Sequence, residues 1–256
     1  MDNKKGQLTL FIIIAVVIVS VLIFLFLPNI KSIFVPSTPS EKLQDCVEKS
    51  LKEAVELTSK RGGSISPVNS IMFKDEKVEY LCYTNQYYKT CINQQPLLRQ
   101  HVEREVLDYI KLNSQQCIEN LKNNLRSKGY SVSSGAGELS VSIVPNNVKV
   151  VASGFSAVKG ETGEKYDKFE AGIKSELYDL IMLTTSILNW EARYGDSDIT
   201  TYMMYYPNVK VEKYKQEDGS KIYILTSGEN KFVFASRSLS WPAGYGFGQT
   251  YKPVAV

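Results

Sequence analysis

The chain has 256 residues, a formal net charge of +3 and a single histidine. Acidic and basic residues nearly balance and no basic run occurs, which argues against a nucleic-acid partner. One histidine is too few for the usual histidine-rich metal sites. We therefore expect no nucleic-acid partner, no metal and no cofactor.

The first predicted element is a long apolar helix near the N-terminus. Leu8–Leu27 carries no charge, and only Thr9 and Ser20 in it are polar. As a helix, these residues rise about 30 Å, the thickness of the hydrocarbon core of a bilayer. The sequence predicts a leader over residues 1–6, a transmembrane helix over 7–27, and the lipid bilayer as a partner.

Charge around this helix sets its expected orientation. Lys4 and Lys5 precede it, and the first charge after it is Lys31. By the positive-inside rule, the N-terminus lies in the cytoplasm and the rest of the chain outside. A cleaved secretory signal peptide is the alternative, but the bulky residues 24–28 do not suit its cleavage site. The expected location is the cell membrane, as a single-pass protein.

The leader also carries a motif. KKGQLTLFIIIAVVIV places Lys4, Lys5, Gly6 and Gln7 directly before the apolar run. This junction resembles the class III signal peptide of archaeal type IV pilins. The resemblance implies that prepilin peptidase cleaves after Gly6, leaving Gln7 as the first mature residue, and that copies of the chain pack through their apolar helices into an extracellular filament.

Two other positions bear on this resemblance. Pro28 would be residue 22 of the mature chain, where many bacterial type IV pilins have a proline that kinks the helix. Phe11 occupies the fifth mature position, where pilins usually have a glutamate that pairs with the terminal amine of a neighbour. Phe11 therefore departs from the family pattern at a position that sets assembly register.

The next region is a proline-rich stalk over residues 28–40, because Pro28, Pro36 and Pro39 interrupt a helix. A helical region over 41–128 follows. It has one helix from about Ser40 to the glycines after Arg61, a strand over KVEYLCY, and two helices, the second starting at Ser114.

All four cysteines lie in this helical region, at positions 46, 82, 91 and 117. An even number in an exported domain indicates two disulfides, with three possible pairings. The short spacing favours Cys82–Cys91, which leaves Cys46–Cys117. A metal site is the competing interpretation, but no CxxC is present.

The final region, residues 129–256, is expected to be an antiparallel sheet with one long helix. YSVSS, ELSVSIVP and NVKVVASG alternate apolar and polar residues, a hairpin is expected about Gly160–Gly163, and three more strands follow residue 207. SELYDLIMLTTSILNWEARYG is an amphipathic helix. The predicted fold class is α+β: one N-terminal transmembrane helix, then an extracytoplasmic domain of helices and antiparallel sheet.

Catalytic motifs are absent from the sequence. His101 lies one helical turn from Glu105 and could act as a base with an orienting acid, but a solvent-facing helix with charge pairs explains the pair better. Asp196 and Asp198 form a DxD that lacks the further ligands of an EF-hand, and a helix N-cap at Ser197 or Asp198 is the better interpretation. We expect no enzyme.

Aromatic clusters are the best candidates for partner binding, because tyrosine and tryptophan are enriched at interfaces. One cluster is in the last third of the domain and one is in the Gly/Pro-rich tail. The residues are Tyr202, Met203, Met204, Tyr205, Tyr206, Trp241, Tyr245 and Phe247.

Two functions fit these features. The first is a pilin-like structural subunit of the cell surface, which assembles with copies of itself or with other surface subunits. The second is an unprocessed single-pass surface protein whose outer domain binds an envelope, matrix or host-cell partner. The KKGQ junction favours the first function, and Phe11 with the stalk favours the second.

Overall fold

A computed structural model describes residues 13–20, 39–132, 138–153, 157–159, 165–166, 169–240 and 249–250. The chain divides into two compact units, Met1–Glu41 and Lys42–Val256. In the first unit, residues 13–20 are helical and all of them are exposed.

The structure contradicts the prediction of a transmembrane helix. In the part of the chain that the structure describes, no helix has both the length and the apolar character that crossing a bilayer requires. The predicted single-pass location in the cell membrane is overturned by the same finding.

Several predictions fall outside the described residues. These are the processing junction at Gly6 and Gln7, the orienting Lys4 and Lys5, and the stalk up to residue 38. The last two residues predicted as stalk belong to the first helix of the larger unit instead.

The helices described after residue 38 are α1 (Pro39–Lys60), α2 (Leu98–Ser127), α3 (Leu177–Tyr194) and α4 (Ile199–Tyr205). The strands described are β1 (Ser70–Phe73), β2 (Glu76–Tyr83), β3 (Ile92–Asn93), β4 (Ser131–Val132), β5 (Glu138–Val144), β6 (Asn147–Ser153), β7 (Ala157–Val158), β8 (Lys165–Tyr166), β9 (Phe169–Lys174), β10 (Val209–Lys215), β11 (Ser220–Ser227), β12 (Asn230–Arg237) and β13 (Gln249–Thr250). The fold is α+β, as predicted.

The main sheet has the order β1-β2-β12-β11-β10-β13, with β3 paired to β2. The β10–β11 and β11–β12 pairs are antiparallel hairpins, as expected from their turn residues. However, β2 pairs with β12 in parallel, and so does β13 with β10. The sheet is therefore mixed, and the prediction of a purely antiparallel sheet is wrong, because local alternation does not specify which distant strand lies alongside.

Alternation along the central strands gives the main sheet two apolar faces. On one face, Tyr223, Leu225, Phe232 and Phe234 join the large core with α1, α2 and α3. On the other face, residues such as Ile222, Ile224 and Val233 form a smaller cluster with Phe73, Val78, Tyr80 and Ala235. The sheet β5-β6-β9 contributes its inward side chains, among them Val148 and Val150, to the large core.

Helix α2 is continuous, although the sequence predicted two helices with a cap at Ser114. Ser114 is buried, and its hydroxyl lies 2.6 Å from that of Ser50 on α1. The hydroxyl therefore has a partner across the helix interface and does not cap a new helix.

Two disulfides are present, in the pairing that the sequence favours. Cys46–Cys117 joins α1 to α2 with a Cα–Cα distance of 5.6 Å. Cys82–Cys91 joins β2 to the residue before β3, at 5.3 Å. Disulfides of this kind are typical of proteins in an oxidising compartment.

Candidate functional site

Large exposed side chains concentrate on α3 and α4. Met204 and Tyr205 are each 78% exposed, and Trp190 and Tyr206 are each 50% exposed. Met182 and Tyr194 on α3 extend the same surface. A cluster of exposed aromatic and thioether groups is unusual on a surface that contacts only water.

A glycine makes the turn that brings α4 back beside α3. Gly195 caps α3 in the left-handed conformation with φ of 80°, and its amide donates to the carbonyl of Glu191 at 2.9 Å. A Cβ at this position would lie 1.6 Å from Oγ of Ser240. Only glycine therefore fits both the backbone conformation and the space.

Helix α4 then starts at a capping aspartate, as the sequence predicted. Asp198 Oδ1 accepts from the amide of Thr200 at 2.9 Å, and Oδ2 accepts from the hydroxyl of Thr201 at 2.8 Å. These two bonds, the Thr201 hydroxyl first, lower the pKa of Asp198. The carboxylate stays charged at neutral pH and fixes the first turn of α4.

Beneath the turn, a buried ion pair joins α3 to the main sheet. Glu191 is fully buried, and its Oε2 lies 2.7 Å from the ammonium of Lys221, which is 7% exposed. Ser236 donates to the same oxygen at 2.9 Å, and Tyr223 donates to Oε1. Burial, followed by the charge of Glu191, raises the pKa of Tyr223 well above its usual value, so Tyr223 keeps its proton.

Lysines also hold the turn residues themselves. Lys221 donates to the carbonyl of Gly195 at 2.5 Å, and Lys213 donates to the carbonyl of Ser197 at 2.7 Å. Lys213 lies 2.8 Å from Asp196 Oδ1 as well. Burial alone would raise the pKa of Asp196, but the ammonium groups of Lys221, Lys213 and Lys215 outweigh it and the pKa is lowered.

Between α3 and α4 runs a groove with two chambers, which share Ser186, Tyr202, Tyr205 and Tyr206 as lining residues. We call the smaller chamber the cup. It has a volume of about 490 Å³ and is also lined by Trp190, Ser197, Asp198 and Thr201. The larger chamber, of about 560 Å³, is also lined by residues that include Asn146, Asp179, Met182, Asn208 and Ser227.

The floor of the cup is polar. Ser186 and Tyr202 hydroxyls lie 3.0 Å apart, and Tyr202 is 9% exposed. Ser197 is buried, and its hydroxyl has no hydrogen-bond partner among the described residues. A buried hydroxyl normally has a partner, and because this oxygen exposes almost no surface, an enclosed water and not a molecule in the cup would complete it.

The structure places the predicted binding residues in different environments. Tyr205 and Tyr206 are exposed at the groove, and Met204 is exposed but is not among its lining residues. Tyr202 is buried in the groove, and Met203 packs against the core. The tail residues Trp241, Tyr245 and Phe247 lie outside the described residues.

The sequence analysis missed the contribution of α3. Trp190 and Tyr194 are one helical turn apart, with ring centroids at 4.8 Å, and both are exposed. They lie outside the apolar stripe that the sequence predicts for this helix. Two large aromatic residues on the polar side of an amphipathic helix are the signal that could have identified them.

The possible base at His101 has a different set of contacts. Glu105 accepts from the amide of Ile65 at 2.8 Å, and His101 Nε2 lies 2.7 Å from the hydroxyl of Ser64. Ser64 is buried and donates to Glu79. Because the serine proton points to Glu79 and not to the imidazole, this network favours a structural role over nucleophilic catalysis.

Among the residues that the structure describes, no group of three or more His, Cys, Asp or Glu side chains could hold a metal ion. No protein-family model, curated protein or solved structure matches the chain. The functional argument therefore depends on the groove and its chemistry.

Proposed function

We propose that this chain is an exported, non-catalytic binding protein of the cell surface, which recognises its partner through the groove between α3 and α4. The observation that carries the proposal is the set of exposed aromatic side chains, Trp190, Tyr205 and Tyr206, that lines this groove. Aromatic side chains provide large contact area with little loss of conformational entropy, and they dominate the energetics of many interfaces.

The rigidity of the site supports the proposal. The turn before α4 is held by the capping Gly195, by Asp198 and by three lysines of the sheet. A preorganised site loses less entropy on binding. The disulfides favour an extracytoplasmic environment, where an envelope or matrix partner would be met.

Binding of the full chain to an envelope fraction from the cells that produce it tests the proposal. We expect saturable binding by the natural chain and a loss of about tenfold or more for Tyr205→Ala, because an anchoring aromatic group is removed. Tyr87→Ala is the matched control, since Tyr87 is 67% exposed and lies in the β2–β3 connection. Equal binding by Tyr205→Ala and the natural chain would refute the proposal.

A second candidate is a pilin-like subunit that assembles with copies of itself. The observation that favours it is the helix over residues 13–20, where Ile13, Ile14, Val16, Val17, Ile18 and Val19 are each at least 46% exposed. Packing such helices together would remove their apolar surface from water. The KKGQ junction, which resembles that of archaeal prepilins, agrees with this candidate.

Sedimentation velocity of the full chain tests the assembly. Ile14→Asp with Ile18→Asp should convert large particles to monomers, because both residues lie on one side of the helix. Leu112→Asp, at an 80% exposed apolar residue of α2, is the control. An intact mass that corresponds to a chain beginning at Met1, and not at Gln7, would rule out the processing that the resemblance implies.

A further inference from the structure

The walls and the floor of the cup differ in chemistry. Trp190, Tyr205 and Tyr206 give aromatic walls, while the hydroxyls of Ser186 and Tyr202 give polar groups. A ligand that fits must therefore present an apolar face and several hydrogen-bonding groups within one small unit.

The floor hydroxyls can both donate and accept. The hydroxyls of Ser186 and Tyr202 lie 3.0 Å apart and satisfy only part of each other's capacity. An apolar side chain in the cup would leave the rest of that capacity unused and desolvated, which is unfavourable. The floor favours a ligand with hydroxyl groups.

Charge around the cup favours a neutral ligand. Asp198 is the one carboxylate among the lining residues, and both its oxygens already accept hydrogen bonds. Directly beneath, the ammonium groups of Lys213 and Lys221 contact the carbonyls of Ser197 and Gly195. These lysines are paired with Asp196 and Glu191, so they present little net charge to the cup, and an anionic ligand would meet Asp198.

We propose that the cup binds a pyranose ring of a neutral glycan, with a CH face of the sugar against the aromatic walls and its hydroxyl groups on Ser186 and Tyr202. This inference depends on the proposed function and names the class of its partner. The larger chamber, with Asn146, Asn208 and Ser227 among its lining residues, continues the groove past Tyr205 and Tyr206 and accepts further sugar units.

Chemical treatment of the envelope fraction separates a glycan from a protein partner. Periodate cleaves vicinal diols and spares most of the polypeptide, whereas exhaustive proteolysis leaves the carbohydrate. We expect binding of the full chain to survive proteolysis and to be abolished by periodate. If binding survives periodate, is lost on proteolysis and still requires Tyr205, the partner is a protein. That result would overturn the glycan proposal and leave the proposed function standing. If Tyr205→Ala does not change binding, both the glycan proposal and the proposed function are overturned.

Fluorescence then locates the sugar at the cup. The chain has two tryptophans, so Trp241→Phe leaves Trp190 as the sole tryptophan reporter. Titration with the carbohydrate freed from the envelope by proteolysis should change Trp190 emission saturably. Ser186→Ala should weaken this binding about tenfold, the effect of one lost hydrogen bond in a buried site, and Tyr87→Ala should leave it unchanged. Unaltered affinity of Ser186→Ala would overturn the assignment of the cup.

Discussion

Replacing Lys221 with methionine tests whether the buried ion pair supports the groove. The substitution keeps the volume of the side chain and removes the ammonium that lies 2.7 Å from Glu191. Because Glu191 is fully buried, its charge would lose its nearest cation and keep only the hydrogen bonds from Tyr223 and Ser236. Breaking one side of a buried pair typically reduces the free energy of unfolding by about 3–5 kcal/mol.

A double-mutant cycle isolates the pair from general packing effects. Glu191→Gln removes the charge and keeps an oxygen for hydrogen bonding, so adding it to Lys221→Met should restore about 2 kcal/mol or more of the lost stability. Urea unfolding at pH 7, followed by circular dichroism, measures each variant.

An exposed ion pair provides the control for this cycle. Lys210 lies 3.0 Å from Glu212, and its side chain is 66% exposed. Lys210→Met should therefore cost less than about 1 kcal/mol. The reasoning is refuted if Lys221→Met costs no more than Lys210→Met, or if the effects of Lys221→Met and Glu191→Gln simply add.

Three further predictions concern other parts of the larger unit. Cys46→Ala with Cys117→Ala removes a disulfide between residues 71 positions apart. On the loop-entropy model, the double variant should lose about 4 kcal/mol in the free energy of unfolding, measured by urea unfolding under non-reducing conditions. A loss below about 1 kcal/mol would contradict it. Burial raises the pKa of Glu79, so the stability from this group is present below the unfolded pKa and is lost as pH rises through the folded pKa. Glu79→Gln should therefore gain stability relative to the natural chain as pH rises above the ordinary glutamate pKa, and parallel pH profiles would argue against this. Gly195→Ala should cost more than Gly129→Ala in thermal unfolding: both have φ near 80°, but only the first places its Cβ against another side chain. Equal losses would remove the steric part of that argument.

Elements that depend on local sequence were predictable. The amphipathic pattern of α3 and the glycine turns of the last hairpins act over a few residues, and both are present in the structure. The cap of α4 at Asp198 is a local hydrogen bond of the same kind. These features need no knowledge of what packs around them.

Elements that depend on distant partners were not predictable in this way. The parallel pairing of β2 with β12 joins Tyr80 to Ala235, and alternation in either strand is compatible with many neighbours. Ser114 has the composition of a helix start, yet it is internal to α2 because Ser50 of α1 meets it. In each case a tertiary contact outweighs a local preference.

The groove depends on local sequence and on distant contacts, which explains why the sequence identified its α4 side and missed its α3 side. The tyrosine cluster of α4 stands out because its members are adjacent in sequence. Trp190 becomes its neighbour only through the reversal at Gly195, which Ser240 restricts to glycine and which lysines from β10 and β11 hold through backbone carbonyls. Lys213 holds the carbonyl of Ser197 and Lys221 holds that of Gly195, so charges of the sheet fix the turn between the two sides of the groove. Lys221→Met should therefore weaken glycan binding as well as stability.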